Sequence, residues 1–248
     1  MSETGTKVYF VTSGLCEEIQ VIKSVRPQRL LCSYWYFKNK PLARFCEELG
    51  YRPEILLDSG AYSAFTKGKH VNVLDYIDYI RANRDYISRY ITLDVIGNPQ
   101  MTLLLWDLMN AAGLFPVPVI HYGDDLDLLQ YYLAEDVNLV ALGGTVPIRD
   151  KKLVAEWCSK VKRRCQGANL HLLGSSSRKI MECGAVESCD SSTWYLMAVN
   201  GKPARLPGKG RSSKIARAEA NMIRIMEAFN EIPVPVDNSC VEHTHSKV

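Results

Sequence analysis

Short apolar runs alternate with longer amphipathic segments along the whole chain. Eight runs read as strands: residues 7–12, 29–33, 54–58, 90–95, 117–121, 138–142, 169–173 and 185–188. Most are continuous, as in Ile55-Leu56-Leu57. Strands buried on both faces have this character, as in a parallel sheet covered by helices. Between them, helical patterns occupy 41–49, 74–86, 99–112, 124–134, 151–164, 176–183 and 212–229. Leu74, Ile77, Ile80 and Ile87 fall near helical spacing. Pro99 suits a first helical turn, and Asp124 and Asp125 suit a helix N-terminus. The last segment sets Ile215, Met222, Ile225, Met226 and Phe229 on one side.

Eight strands interleaved with helices predict a single (β/α)8 barrel with a closing C-terminal helix. A doubly wound open sheet is the competitor, but no G-x-G-x-x-G follows the first strand. Residues 1–232 are expected to form the barrel and 233–248 a poorly ordered tail. The 248 residues suit one such barrel, which takes about 250.

The chain is 47% hydrophobic and 23% charged, the proportions of an ordinary globular protein. Its longest apolar stretch, 111–120, is broken by Gly113, Pro116 and Pro118, well short of the ~20 residues of a membrane span. No signal peptide is recognisable. None of the eight cysteines forms a C-x-x-C pair, so they read as reduced thiols of a cytoplasmic protein. The net charge of +3 does not by itself announce a nucleic-acid binder. Its distribution says more: residues 201–217 carry Lys202, Arg205, Lys209, Arg211, Lys214 and Arg217, and no acid.

In α/β barrels, chemistry gathers at the C-terminal ends of the strands. Here those ends read Asp58-Ser59-Gly60-Ala61-Tyr62, Asp94 within Thr92-Leu93-Asp94, His121-Tyr122-Gly123, Gly143-Gly144-Thr145, Gly174-Ser175-Ser176-Ser177 and Ser188-Cys189-Asp190. Any one aspartate could cap the following helix. Three on one rim would repel, so that one serves as a base while another is a nucleophile. Gly143 and Gly144 make a tight turn or admit a planar ligand to the backbone. His121 is either a core histidine or a donor to a ligand carbonyl. Gly174 and its serines suggest a phosphate cradle. Cys240, His243 and His245 alone are a poor metal site.

These strand-end residues resemble the tRNA-guanine transglycosylase superfamily, (β/α)8 barrels that exchange guanine for a 7-deazaguanine. The resemblance runs from about Ile55 to Trp194. Asp58-Ser59-Gly60-Ala61-Tyr62 is similar to the family's D-S-G-G-F segment, whose aspartate is the acid/base. Asp94 falls where a family aspartate binds the heterocycle, and His121 where a glutamine does. Ala141-Leu142-Gly143-Gly144 is similar to V-G-G-L, and Leu172-Leu173-Gly174 to Y-L-M-G. Ser188-Cys189-Asp190 is similar to the segment with the nucleophilic aspartate.

The resemblance therefore implies Asp190 and Asp58 as catalytic residues. Asp94, His121, Gly143, Gly144, Ser59 and Tyr62 would bind the base. The family's zinc motif, C-x-C-x-x-C with a distant His, is absent after Asp190, and the chain is shorter than the tRNA enzymes. Both departures point to the phage and bacterial DNA 7-deazaguanine transglycosylases. The expected partners are DNA and a free 7-deazaguanine such as the 7-cyano compound, without metal or redox cofactor. Lys202, Arg205, Lys209, Arg211, Arg178 and Lys179 are candidates for binding phosphates. A tRNA transglycosylase, a carboxylate-based nucleoside or sugar hydrolase and a non-catalytic nucleic-acid-binding barrel are the alternatives.

Overall fold

The computed structural model describes residues 5–165, 167–203, 206 and 213–235. Eight parallel strands follow one another as β1 (Lys7–Thr12), β2 (Arg29–Ser33), β3 (Glu54–Asp58), β4 (Arg89–Tyr90), β5 (Val119–His121), β6 (Leu139–Gly143), β7 (Asn169–Leu172) and β8 (Ser188–Ser191). Their hydrogen-bonded order is β4-β3-β2-β1-β8-β7-β6-β5. An Ile91–Val117 bridge joins the two ends of that order. There the Val117 N–H donates to the Tyr90 carbonyl at 2.8 Å and the Thr92 N–H to the Val117 carbonyl at 2.9 Å. The chain is a closed (β/α)8 barrel.

Helices fill the connections: α1 (Cys16–Val25), α2 (Tyr34–Phe37), α3 (Leu42–Leu49), α4 (Ala61–Phe65), α5 (Val73–Ala82), α6 (Pro99–Ala111), α7 (Leu128–Leu133), α8 (Lys151–Arg164), α9 (Arg178–Met181), α10 (Thr193–Val199) and α11 (Lys214–Ala228). Among the described residues, no helix is long and apolar enough to cross a membrane.

The period-2 alternation of a strand divides the apolar runs between two cores. Tyr9, Leu31, Leu56, Ile91, Val117, Val119 and Ala141 fill the barrel interior. Their neighbours Phe10, Leu30, Ile55, Ile120, Val140 and Leu170 pack outward with the helices. Two residues beyond the inward Leu31, Leu56, Val119 and Ala141 stand Ser33, Asp58, His121 and Gly143. Asp190 is level with the inward Tyr9 across the β1–β8 pair. The repeat that buries the apolar layer therefore sets a polar layer above it, at the mouth.

Two strands depart from the sequence reading. The eighth was expected at 185–188 but is Ser188–Ser191, so Asp190 lies within the strand and not in the loop after it. Ala185 and Val186 are buried ahead of it and supplied a false apolar signal. The fourth strand, expected at 90–95, is reduced to Arg89–Tyr90 and the single bridge. The β5–β6 ladder starts at Val119 because Pro118 has no N–H to give β6. The helices α1, α2, α4 and α10 were not anticipated.

The closing helix α11 packs on α1 and α10, with Ala218, Met222 and Met226 buried. Beyond it, Glu231 pairs with Arg29 at 2.6 Å below the barrel. The Val234 N–H donates to the Arg26 carbonyl at 2.7 Å, and Arg26 Nε to the Val234 carbonyl at 2.9 Å. The segment expected to be loose from Pro233 is thus held as far as Pro235. The rest of that tail, including Cys240, His243 and His245, lies outside the described residues.

Candidate active site

Asp58 ends β3, where the chain turns sharply into α4. Its Oδ2 accepts the Gly60 N–H at 2.9 Å, which closes a local turn; it does not cap α4, whose N-cap is Gly60 with no side-chain cap. The chemistry goes further. Burial pushes the Asp58 carboxyl up to about 7, the negative charge of Asp94 adds to this, and Asp190 adds more; Gly60 and Ser33 pull the other way without cancelling the effect. A carboxyl poised near neutrality can both give and take a proton.

Asp94 caps nothing: the cap of α6 is Asn98. Its Oδ1 accepts from the Ser59 hydroxyl at 3.3 Å, and its Oδ2 faces His121 Nε2 at 3.0 Å. Ser59 is fully buried, and its Oγ also accepts the Ala61 N–H at 3.2 Å, which ties the Asp58 turn to Asp94.

His121 is buried. Its Nδ1 lies 3.5 Å from Asp124 Oδ2, and the same carboxylate accepts the His121 N–H at 2.8 Å. Burial opposes charging the ring, but the hydrogen bonds and charges of Asp124 and Asp94 outweigh it and push its pKa up to about 9. It is an imidazolium at neutral pH with both N–H groups directed at carboxylates. Both ring nitrogens of His121, expected to serve a ligand carbonyl, face carboxylates of the protein. His121 instead holds Asp94.

Gly143, the last residue of β6, and Gly144 after it both lie against His121. A Cβ on Gly143 would lie 2.6 Å from His121 Cδ2, and Gly144 has φ +72°. The face of Gly143 expected to admit a planar ligand is covered by the imidazole.

Asp190 is 3% exposed. Its Oδ2 accepts the Gly174 N–H at 2.8 Å and lies 3.5 Å from His171 Nε2. Its Oδ1 takes no hydrogen bond among the described residues. One oxygen is anchored and the other is open. The Gly174 N–H that leads the expected phosphate cradle is committed to Asp190.

His171, Asp124 and Ser33 complete the mouth and were not anticipated. His171 is buried on β7, with Nδ1 2.9 Å from Ser188 Oγ and its ring edge-on to Tyr9. Its Nε2 is buried without a hydrogen-bond partner, 3.5 Å from Asp190 Oδ2. The signal available was its place between the apolar Leu170 and Leu172, where a polar residue must point inward.

The remaining candidates sit at the rim or beyond it. Tyr62 is on α4, 56% exposed. Arg178 and Lys179 are exposed on α9, and Arg178 Nε is 3.4 Å from Glu182. Lys202 is exposed, while Arg205, Lys209 and Arg211 lie outside the described residues. Lys214 is corrected as a free cation of that run, because it pairs with Glu17. Among the described residues, no three His, Cys, Asp or Glu side chains are grouped to hold a metal ion. A cavity of about 520 Å³ lies at the opposite end, between Arg89, Trp106, Phe115, Tyr131 and Asn138, away from the aspartates.

No family model and no curated protein matches the sequence. Solved structures match its fold. A mutant tryptophan synthase alpha-subunit from Pyrococcus furiosus has a TM-score of 0.58 at 11% identity, over 92% of this chain and 98% of that one. The tryptophan synthase complex from the same organism gives 0.54 at 11% identity, again over 92% and 98%. The YdjI aldolase from Escherichia coli K12 gives 0.48 at 13% identity, over 92% and 91%. At such identity the likeness bears on the barrel alone. The resemblance to the transglycosylases rests on this chain's own residues.

Proposed function

We propose that this barrel is a base-exchange transglycosylase that replaces guanine with a 7-deazaguanine in DNA through a covalent aspartyl intermediate. The observation that carries the reading is the convergence of Asp58, Asp94 and Asp190 on one mouth, close enough that the charges of the other two add to burial in raising Asp58 to about 7. Each carboxylate has a distinct environment, and distinct environments give distinct roles.

Asp190 is the nucleophile. With Oδ2 anchored, Oδ1 attacks C1′ of the target nucleotide; the C1′–base bond breaks as the C1′–O bond forms. Asp58, protonated, gives its proton to the departing guanine. Asp58 as carboxylate then takes the ring N–H proton of the incoming 7-deazaguanine. The new base displaces Asp190 from C1′, and two inversions retain configuration. A pKa near neutrality suits both directions of this transfer. Asp94, held by His121 and Ser59, keeps lone pairs for the N–H groups of the base. The target nucleotide must leave the helical stack to reach the mouth, at a cost of a few kcal/mol.

The same carboxylates would serve a nucleoside or sugar hydrolase, with water in place of the incoming base. Incubation with labelled guanine and DNA separates the two: exchange puts label into polymer, whereas hydrolysis releases base and leaves none.

A further inference from the structure

Two stretches without an acidic residue, 33–46 and 59–74, leave the ends of β2 and β3. Between them they carry Lys38, Lys40, Arg44, Lys67 and Lys69 and a run of aromatic side chains. Their first helices, α2 and α4, pack together at the mouth. Gly60, φ +76°, is pressed so closely on α2 that a Cβ there would lie 2.5 Å from Trp35 Cβ and 2.6 Å from Ser33 Oγ. The Gly60 N–H also holds Asp58. The surface built by these helices therefore begins beside the acid/base carboxyl.

That surface is aromatic and cationic at once. Tyr36 is 42% exposed and Phe65 57%. Lys38 Nζ stands 4.8 Å from the centre of the Trp35 ring. Lys67 Nζ stands 4.9 Å from that of Tyr36 and 5.6 Å from that of Trp35. Lys40 is turned away to the Gly14 carbonyl. Among the described residues, Lys38, Lys67 and Lys69 meet no carboxylate.

Ammonium groups that meet no carboxylate, set among exposed aromatic rings, are chemistry that holds an unpaired polynucleotide strand. Bases stack on the rings, sequence-tolerantly, while phosphates meet the cations. A nucleotide drawn into the mouth also leaves its flanking bases without one stacking neighbour, and rings at the rim can replace it.

We infer that the α2–α4 rim is a binding surface for an unpaired strand of DNA, with bases against Tyr36 and Phe65 and phosphates at Lys38, Lys67 and Lys69. The inference rests on the base-exchange reading for why a strand is held beside Asp58. Strand binding itself needs no chemistry.

The test is fluorescence anisotropy of a labelled single-stranded oligonucleotide of about 12 nucleotides with the full chain, at salt from about 50 to 200 mM. The proteins are the unsubstituted chain, the Lys38→Gln/Lys67→Gln/Lys69→Gln variant and the Tyr36→Ala/Phe65→Ala variant, each checked for folding by circular dichroism. The lysine variant is expected to flatten the log–log salt dependence by about 0.7 for each phosphate it no longer neutralises. The aromatic variant is expected to bind at least about fivefold more weakly per ring removed, with its salt slope unchanged. Unchanged slope and affinity in both rim variants would overturn the inference. So would failure of the unsubstituted chain to bind at low salt, or lysine-dependent capture by phosphatidylserine vesicles in place of DNA. Rim-dependent strand binding without base exchange supports the surface and removes the base-exchange reading. Exchange and strand binding unaffected by both rim variants do the reverse.

Discussion

His121 Nε2 lies 3.0 Å from Asp94 Oδ2, and the ring is charged at neutral pH, its pKa held at about 9 by Asp124 and Asp94 against the cost of burial. One of the mouth's three aspartates is thereby neutralised within the protein. A raised histidine pKa stabilises the fold fully below about 6.5 and loses that contribution as pH rises through about 9. The displacement is worth on the order of 3 kcal/mol. His121→Gln keeps a hydrogen bond and removes the charge. Urea denaturation at about pH 7.5, 8.2 and 9, above the range in which Asp58 loses its proton, is expected to show the unsubstituted chain weakening across that range and the variant nearly flat. Parallel curves would show that the ring is not charged.

The acid role of Asp58 sets a pH limb. Release of guanine in a single turnover needs the protonated carboxyl, so its rate is expected to fall above about pH 7. Asp94→Asn removes a negative neighbour and lowers the Asp58 pKa, which moves the limb to lower pH. Asp58→Asn is expected to slow the step about 100-fold to 10,000-fold and to abolish the limb. A limb that stays in place in Asp94→Asn would separate the two carboxyls.

Asp58 also has a thermodynamic signature. Its raised pKa means that the native chain keeps a proton the unfolded chain has released, so stability falls as pH rises from about 4 to about 7. That window lies below the one set by His121. Asp58→Asn is expected to raise Tm at about pH 8 and to change it little near pH 4. Equal effects at both pH values would show that the carboxyl titrates normally.

Gly143→Ala is expected to displace the imidazole, since the added Cβ would lie 2.6 Å from Cδ2 and 3.0 Å from Nε2. Overpacking of this kind costs about 1–3 kcal/mol. The displaced ring would leave Asp94, so NMR titration of His121 is expected to give a pKa below that of the unsubstituted chain. An unmoved titration would show that the ring does not depend on the glycine.

Most of the barrel is legible in the sequence because its strands are buried on both faces. Continuous runs such as Ile55-Leu56-Leu57 mark them without ambiguity. The eighth strand is not legible in the same way. Its inward residues, Ser188 and Asp190, belong to the polar layer, and the apolar Ala185 and Val186 drew the boundary three residues early. Helix α1 escapes the pattern although Ile19, Ile22 and Val25 bury one face, because Glu17, Glu18 and Gln20 interrupt the run. Its buried Glu18 accepts from Thr12 Oγ1 at 2.9 Å and from the Ser13 N–H at 2.8 Å. The three aspartates could be picked out because strand ends are where barrel chemistry collects. What the sequence could not supply is which side chains satisfy one another. The locking of His121 between Asp94 and Asp124, and of Asp190 by Gly174, depends on packing between separate strands and their loops.

The most direct measurement is incorporation of radiolabelled guanine into single-stranded DNA, duplex DNA and tRNA transcripts at equal salt, by the unsubstituted chain and by Asp190→Ala. The expected result is label in DNA with the unsubstituted chain and none with the variant, which stays folded. Label confined to tRNA would contradict the choice of DNA. Absence of label from every polymer, or undiminished exchange by Asp190→Ala, would contradict base exchange through an aspartyl intermediate.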